Sequence, residues 1–147
     1  MGFSAPRTRV KGEVPRGFVT DFASVPPRAQ SIVQKDGRFT PAAVVHDYLY
    51  WEQPVDRLTA DNVMFELMEA RRVPPRDRDT IYNILRLLGR QAWEQNKKDR
   101  LAGKPRILPE KWMNFPLDGY DWEELERYLI ENPNLAQRPG GSVEIGG

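Results

Sequence analysis

"TPAAVVHDYLYWEQP", residues 40–54, is the stretch on which the fold turns. Thr40 is a good N-cap, and Pro41 suits the first helical position, where a missing N–H costs nothing. Pro54 closes the segment, so a helix is expected from 41 to about 52. It contains His46, the one histidine of the chain, set among aliphatic and aromatic side chains that mark a buried helix. At the four-residue spacing His46 and Tyr50 share a face, while Asp47 projects about a quarter-turn away. His46 and Asp47 are therefore badly placed to pair, and each needs a partner from elsewhere.

Working outward, "DRLTADNVMFELMEARRVPP" (56–75) repeats the same grammar. Asp56 or Thr59 serves as cap, Val63, Leu67 and Ala70 recur at helical spacing, and a double proline ends a helix of about 58–72. The short "QPVD" connection turns this helix back antiparallel to the first, so that Asp61 can face the His46 imidazole. "RDRDTIYNILRLLGRQAWEQNKK" (76–98) sets Ile81, Ile84, Leu85, Leu88 and Ala92 on one apolar face, which predicts a single long helix as the spine of the core.

Upstream, residues 7–27 alternate apolar with polar around Gly12 and Gly17, and their prolines preclude a helix, so short antiparallel strands are expected. Residues 28–39 carry a turn signal at Asp36-Gly37, with room for a short helical turn before it. From 101 to 133 the chain reads as an arm. Trp112, Met113 and Phe115 anchor individually, and a helix capped by Asp121 turns Leu125, Tyr128 and Leu129 inward. The tail, 134–147, has little to bury beyond Val143 and Ile145 and is expected to be flexible. The class is α+β: one domain over 1–133, with a strand unit at 7–27, a helical core at 40–98, and a C-terminal helix and tail outside.

Composition narrows the chemistry. Of 147 residues, 22 are Lys or Arg and 21 Asp or Glu, so a net charge of +1 provides no field favouring nucleic acid or an acidic membrane. The Arg-rich run at 69–79 is interleaved with acids, and no nucleic-acid partner is expected. Cysteine is absent, which removes disulfides, thiolate metal sites and a thiol nucleophile. No window approaches the length of an apolar membrane span, and the first ten residues lack a signal peptide's apolar run, so folding in a cytoplasm is expected. Pro6 stands where a myristoylation signal needs Ser or Thr.

An imidazole held in one tautomer by a carboxylate is a general base for water near neutral pH. His46 with Asp61 is thus a candidate catalytic pair. Asp47, together with Asp21 from "GFVTDFASVP" and nearby loop carbonyls, offers the hard oxygen ligands that Ca²⁺ takes, and a cation there would polarise an ester carbonyl. Ordinary roles account for the same residues: Asp21 capping a turn, Asp47 bonding loop amides, and Asp61 near a helix N-terminus. The aromatic run with Trp112, Phe115 and Trp122 is either core packing or a docking surface for another subunit.

The pairing of "GFVTDFASVP" with "HDYLY" and "TADNVMF" resembles the phage and prophage family described as the domain of unknown function numbered 1353, over roughly residues 13–70. The resemblance implies a phage-encoded protein in the virion or, during infection, the host cytoplasm, whose partners are other virion subunits or further copies of itself. A more distant similarity is to the bacterial secreted phospholipases A2, carried by Thr20, Asp21 and Ser24, by Pro41, His46, Asp47 and Tyr50, and by Asp61 with Phe65. It implies His46 as base, Asp61 as its orienting partner, Asp47 and Asp21 as calcium ligands, and Tyr50 beside the substrate. The family's cysteines and glycine-rich calcium loop are missing here, and Asp61 follows His46 more closely. Two functions follow from these resemblances: a metal-assisted ester or amide hydrolase, and a noncatalytic component of the particle that binds its neighbours through the C-terminal arm.

Overall fold

The computed structural model describes residues 1–33, 37–112, 121–135 and 141–147. Strands β1 (Gly2–Ala5) and β2 (Val10–Glu13) open the chain, followed by α1 (Pro27–Val33), α2 (Thr40–Glu52), α3 (Arg57–Ala70), α4 (Pro75–Leu88) and α5 (Arg90–Leu101). A 3-10 turn at Glu110–Trp112, helix α6 (Trp122–Glu131) and strand β3 (Ser142–Ile145) complete it. The arrangement is α+β, as expected. No helix among the described residues is long and apolar enough to cross a membrane.

Helix α2 lies at the centre because it is apolar nearly all round, with nine of its residues buried from Ala42 to Trp51. It starts directly after the buried Phe39, and no side chain caps it; Thr40 is its first residue rather than its cap. Pro41 lightens that deficit by removing one orphan donor. Gln53 ends the helix in the left-handed region at φ 53°, and its N–H donates to Leu49 O at 2.9 Å. Helix α3 then opens on Asp56, whose carboxylate accepts from Thr59 N–H at 2.7 Å.

Two clusters of apolar side chains meet on α2. Phe39, Ala42 and Ala43 pack with Met64 and Met68 of α3 and with Ile81 and Leu85 of α4. Val45, Tyr48 and Leu49 pack with Ala60 and Val63 of α3 and with Ala5, Val10 and Val14 from the strand unit. Leu49 alone, fully buried, contributes about 1.5–3 kcal/mol.

Several expectations differ from the structure. The segment 76–98 is two helices joined at Gly89, and only Ile81 and Leu85 of α4 are buried, so the spine of the core is α2. Leu88, placed on the apolar face by period, is half exposed. The strands begin at Gly2 and end at Glu13. Beyond Pro15, which has no N–H to give a ladder, residues 14–26 form turns with a single bridge, Phe18 to Ile107. On α6, Leu125 and Leu129 are buried but Tyr128 is nearly half exposed.

A further difference is the tail. Residues 142–145 are a strand, because the antiparallel sheet runs β1-β2-β3 with β2 in the middle, Val10 opposite Ile145 and Glu13 opposite Ser142. Gly12 makes this possible: a side chain there would meet the Ser142 carbonyl oxygen and lie 3.1 Å from the Phe3 ring. The Asp36 half of the expected turn, and Met113, Phe115 and Tyr120 of the arm, lie outside the described residues. Truncating residues 141–147 removes four cross-strand pairs and is expected to lower stability by about 1–4 kcal/mol, at a few tenths to one per pair. Urea unfolding of full-length and truncated chains checks it; an unchanged midpoint means that the strand adds nothing.

Candidate functional site

Helix α2 brings two successive turns to the site. His46 and Tyr50 face α3, and Asp47 faces the loop that precedes α1. His46 Nε2 lies 2.8 Å from Asp61 Oδ1, and both side chains are wholly buried. The Tyr50 hydroxyl donates to the same oxygen at 2.7 Å, with its ring tilted against the imidazole at a centroid separation of 4.0 Å. Asp61 Oδ2 receives Arg86 Nη1 at 2.6 Å and Arg57 Nη1 at 3.4 Å. Arg57 is itself tied to the end of α4, donating to Leu85 O at 3.0 Å.

Burial opposes the charged form of Asp61. The hydrogen bond and charge of His46, with the hydrogen bonds of Tyr50 and Arg86, outweigh it and hold the carboxyl below its ordinary range. The Tyr50 hydroxyl is pushed far upward, by burial first and then by the Asp61 charge. Asp61 is thus an ionised acceptor and Tyr50 a neutral donor.

On the other side of the imidazole, Ser24 Oγ lies 3.1 Å from His46 Nδ1. Ser24 Oγ also donates to Asp47 Oδ1, and its N–H reaches the same oxygen at 3.3 Å. Asp47 Oδ2 accepts from Thr20 Oγ1 and from Phe22 N–H, the latter at 3.0 Å. Hydrogen-bond roles follow from the partners' capacities. Asp61 only accepts, so Nε2–H donates to it, and the direction of the contact between Nδ1 and Ser24 Oγ follows the ring's tautomer. Both ring nitrogens are engaged by protein partners.

The family model of the protein of unknown function DUF1353 matches residues 3–84, more than half of the chain. The chain belongs to the DUF1353 family. No curated protein and no solved structure matches it. The matched stretch runs from β1 through most of α4, and so contains every side chain of the His46 network except Arg86.

In this DUF1353 member the structure joins His46, Asp61 and Tyr50, and joins Asp47 to the same chain of contacts through Ser24. It does not bring Asp21 to Asp47. Asp21 is about half exposed, accepts from Ala23 N–H at 2.8 Å, and pairs with Arg106 at 3.3 Å. A calcium ion needs free oxygen lone pairs, and Asp47 spends its own on four donors. The pair Asp21 and Asp47 does not fit the cation, and no cluster of three metal-binding side chains occurs among the described residues. Tyr50, expected beside a substrate, is fully buried and instead steadies Asp61. Of the expected partner interface, Trp112 stacks at a tilt on Tyr128 with centroids 5.5 Å apart, Trp122 opens α6 half buried, and Phe115 is outside the described residues.

Arg57, Arg86 and Gly89 were not picked out from sequence, and Ser24 was named only among the residues similar to the phospholipases, without a role in the network. Arg57 had a signal, the four-residue helical spacing to Asp61. Arg86 had none, because its approach depends on how α4 crosses α3. Gly89 leaves room: a Cβ there would sit 2.6 Å from the Tyr50 hydroxyl and 3.2 Å from Arg57 Nη1.

Asp61→Asn would leave an imidazole and two guanidiniums without their counter-charge and is expected to cost about 3–5 kcal/mol, measured by urea unfolding at neutral pH. A carboxyl held low in the folded state contributes stability that is present above its unfolded pKa and is lost as pH falls through its folded pKa. The acid limb of wild-type stability should therefore flatten in Asp61→Asn; an identical limb in the two proteins rules out Asp61 as its source. Gly89→Ala is expected to cost about 1–3 kcal/mol through overpacking against Tyr50, read as a lower melting temperature.

Proposed function

We propose that this DUF1353 chain is a noncatalytic structural component of a phage particle, which folds in the host cytoplasm and joins its neighbours through the C-terminal arm. The observation that carries the reading is the closure of the His46 network. His46 and Asp61 are fully buried, Ser24 is 2% exposed, and each has its hydrogen-bonding capacity taken by protein partners. Groups so enclosed fix the relation of α2, α3, α4 and the loop before α1, which is what a subunit needs in order to present a constant surface. The phage setting rests on the resemblance of the "TDFASVP" and "HDYLY" motifs; the arm's role rests on aromatic side chains such as Trp112 and Trp122, a residue type enriched at interface cores.

The hydrolase reading keeps one observation in its favour. Ser24, His46 and Asp61 follow one another at 3.1 Å and 2.8 Å, the sequence of groups used by hydroxyl nucleophiles. Against it, Ser24 Oγ is shared with Asp47, and water would have to displace packed side chains to enter.

The experiment has two arms. Phospholipid, peptide and glycan esters or amides are offered to the wild type, Ser24→Ala and His46→Gln, with and without Ca²⁺; no turnover is expected from any of them. Turnover by the wild type that either substitution abolishes would overturn the structural reading. Purified particles of the phage that encodes the chain are then probed for it, and its absence from them would remove the virion assignment. Millimolar Ca²⁺ is expected to leave the melting temperature unchanged, whereas a site filled at about a hundredfold excess over its Kd would add about 2.7 kcal/mol.

A further inference from the structure

Asp47 is 3% exposed, and one short stretch of chain takes the place of water around its carboxylate. Thr20 Oγ1, Phe22 N–H, Ser24 N–H and Ser24 Oγ meet its two oxygens, and all four are neutral groups of residues 20–24. A carboxylate stripped of these bonds in a dry place would carry a large desolvation penalty. Withdrawal of the stretch and entry of water to Asp47 are therefore one event.

The closed stretch is under tension. Phe22, at its middle, holds φ at 56°, a costly backbone state for a bulky residue, and its ring is only partly buried. Its other side-chain ties lie toward the surface: Asp21, about half exposed, pairs with Arg106 at 3.3 Å, and Gln30 Nε2 reaches Phe22 O at 3.4 Å. The flanks are fixed by backbone bonds. Val19 N–H donates to Arg106 O at 2.8 Å, and Pro26 O accepts from Ala29 N–H at 2.8 Å where α1 begins. A segment anchored at both ends, strained between them and held by one side chain can open locally while its flanks stay folded. What it covers is the imidazole: Ser24 Oγ lies 3.1 Å from His46 Nδ1, and the ring is wholly buried.

We propose that residues 20–24 form a strap that opens as a unit over His46, with Asp47 as its latch. Opening carries Ser24 away from the ring and turns the Nδ1 edge to solvent, while Asp61 keeps Nε2. It relaxes the backbone at Phe22 and hydrates Asp47, and these two gains offset the four bonds given up. The inference goes beyond the structural role proposed above and does not depend on it.

Because His46 is the one histidine of the chain, its carbethoxylation by diethyl pyrocarbonate, mapped by mass spectrometry on the full-length protein, reports the opening directly. In the wild type the rate is expected to be nearly independent of urea below the unfolding transition, whereas hydrogen exchange at the Leu49 amide, which requires α2 to come apart, accelerates with urea. Thr20→Val keeps the outline of the side chain, removes one donor to Asp47, and should speed modification about tenfold, as expected for the loss of one hydrogen bond to a charged group. Phe22→Gly and Phe22→Ala lose the same ring, but only glycine takes up the left-handed backbone freely, so the glycine variant should react several-fold more slowly than the alanine variant. A wild-type rate that climbs with urea in parallel with Leu49 exchange would mean that His46 is reached only by global unfolding, and would overturn the proposal. An unchanged rate in Thr20→Val, or equal rates in the two Phe22 variants, would overturn it as well. The wild-type comparison needs no substitution and decides the matter even if a variant fails to fold.

Discussion

One ionised carboxylate in a dry place sets the terms for the helical core. Asp61 is inaccessible to water, and it stays charged because an imidazole, a phenol and two guanidiniums converge on its two oxygens. Those donors come from α2, α3 and α4, so the electrostatic demand of a single side chain fixes three helices at once. A buried ion group of this kind is not by itself a source of net stability, since desolvation offsets much of the attraction. Its effect is on geometry: any slip of α4 along α3 would take Arg86 away while leaving Asp61 in the interior, a state with a large penalty.

Asp47 does for the loop what Asp61 does for the helices. Phe22 occupies the left-handed backbone region at φ 56°, unusual for a bulky residue, and this is the residue whose N–H meets Asp47 Oδ2. The four donors on Asp47 hold residues 20–24 in that shape and carry it to the imidazole through Ser24. The consecutive His46 and Asp47 therefore act on different elements, as their angular separation on a helix requires.

Much of this was legible in residue order, and the parts that were not have definite causes. Helix α2 could be placed from Pro41 and Pro54, and the approach of Asp61 to His46 from the short connection between α2 and α3. The α+β class followed from prolines and alternation near the N-terminus beside long helical periods. Burial was harder to read. Leu88 has the right period and is still half exposed, because periodicity tells which face a residue shares and not whether another element covers that face. At Gly89, where α4 meets α5, a side chain would run into the Tyr50 hydroxyl about forty positions away, a constraint that local residue order does not show. The chemistry of Asp47 turned on its acceptors being full, a property of which hydroxyls and amides fold over it, and "HDYLY" alone reads the same with or without them.

The sheet has an unusual span along the chain. Its middle strand pairs on one side with residues a hairpin away and on the other with residues near the far end, Val10 against Ile145. Closing so large a loop costs more conformational entropy than closing a hairpin, and contacts distant in sequence slow a folding reaction. The β1-β2 ribbon and the helices can therefore organise first, with β3 joining afterwards along the open side of β2. Until it does, that strand presents unpaired N–H and C=O groups, an edge to which a strand from a second molecule could add by exchange.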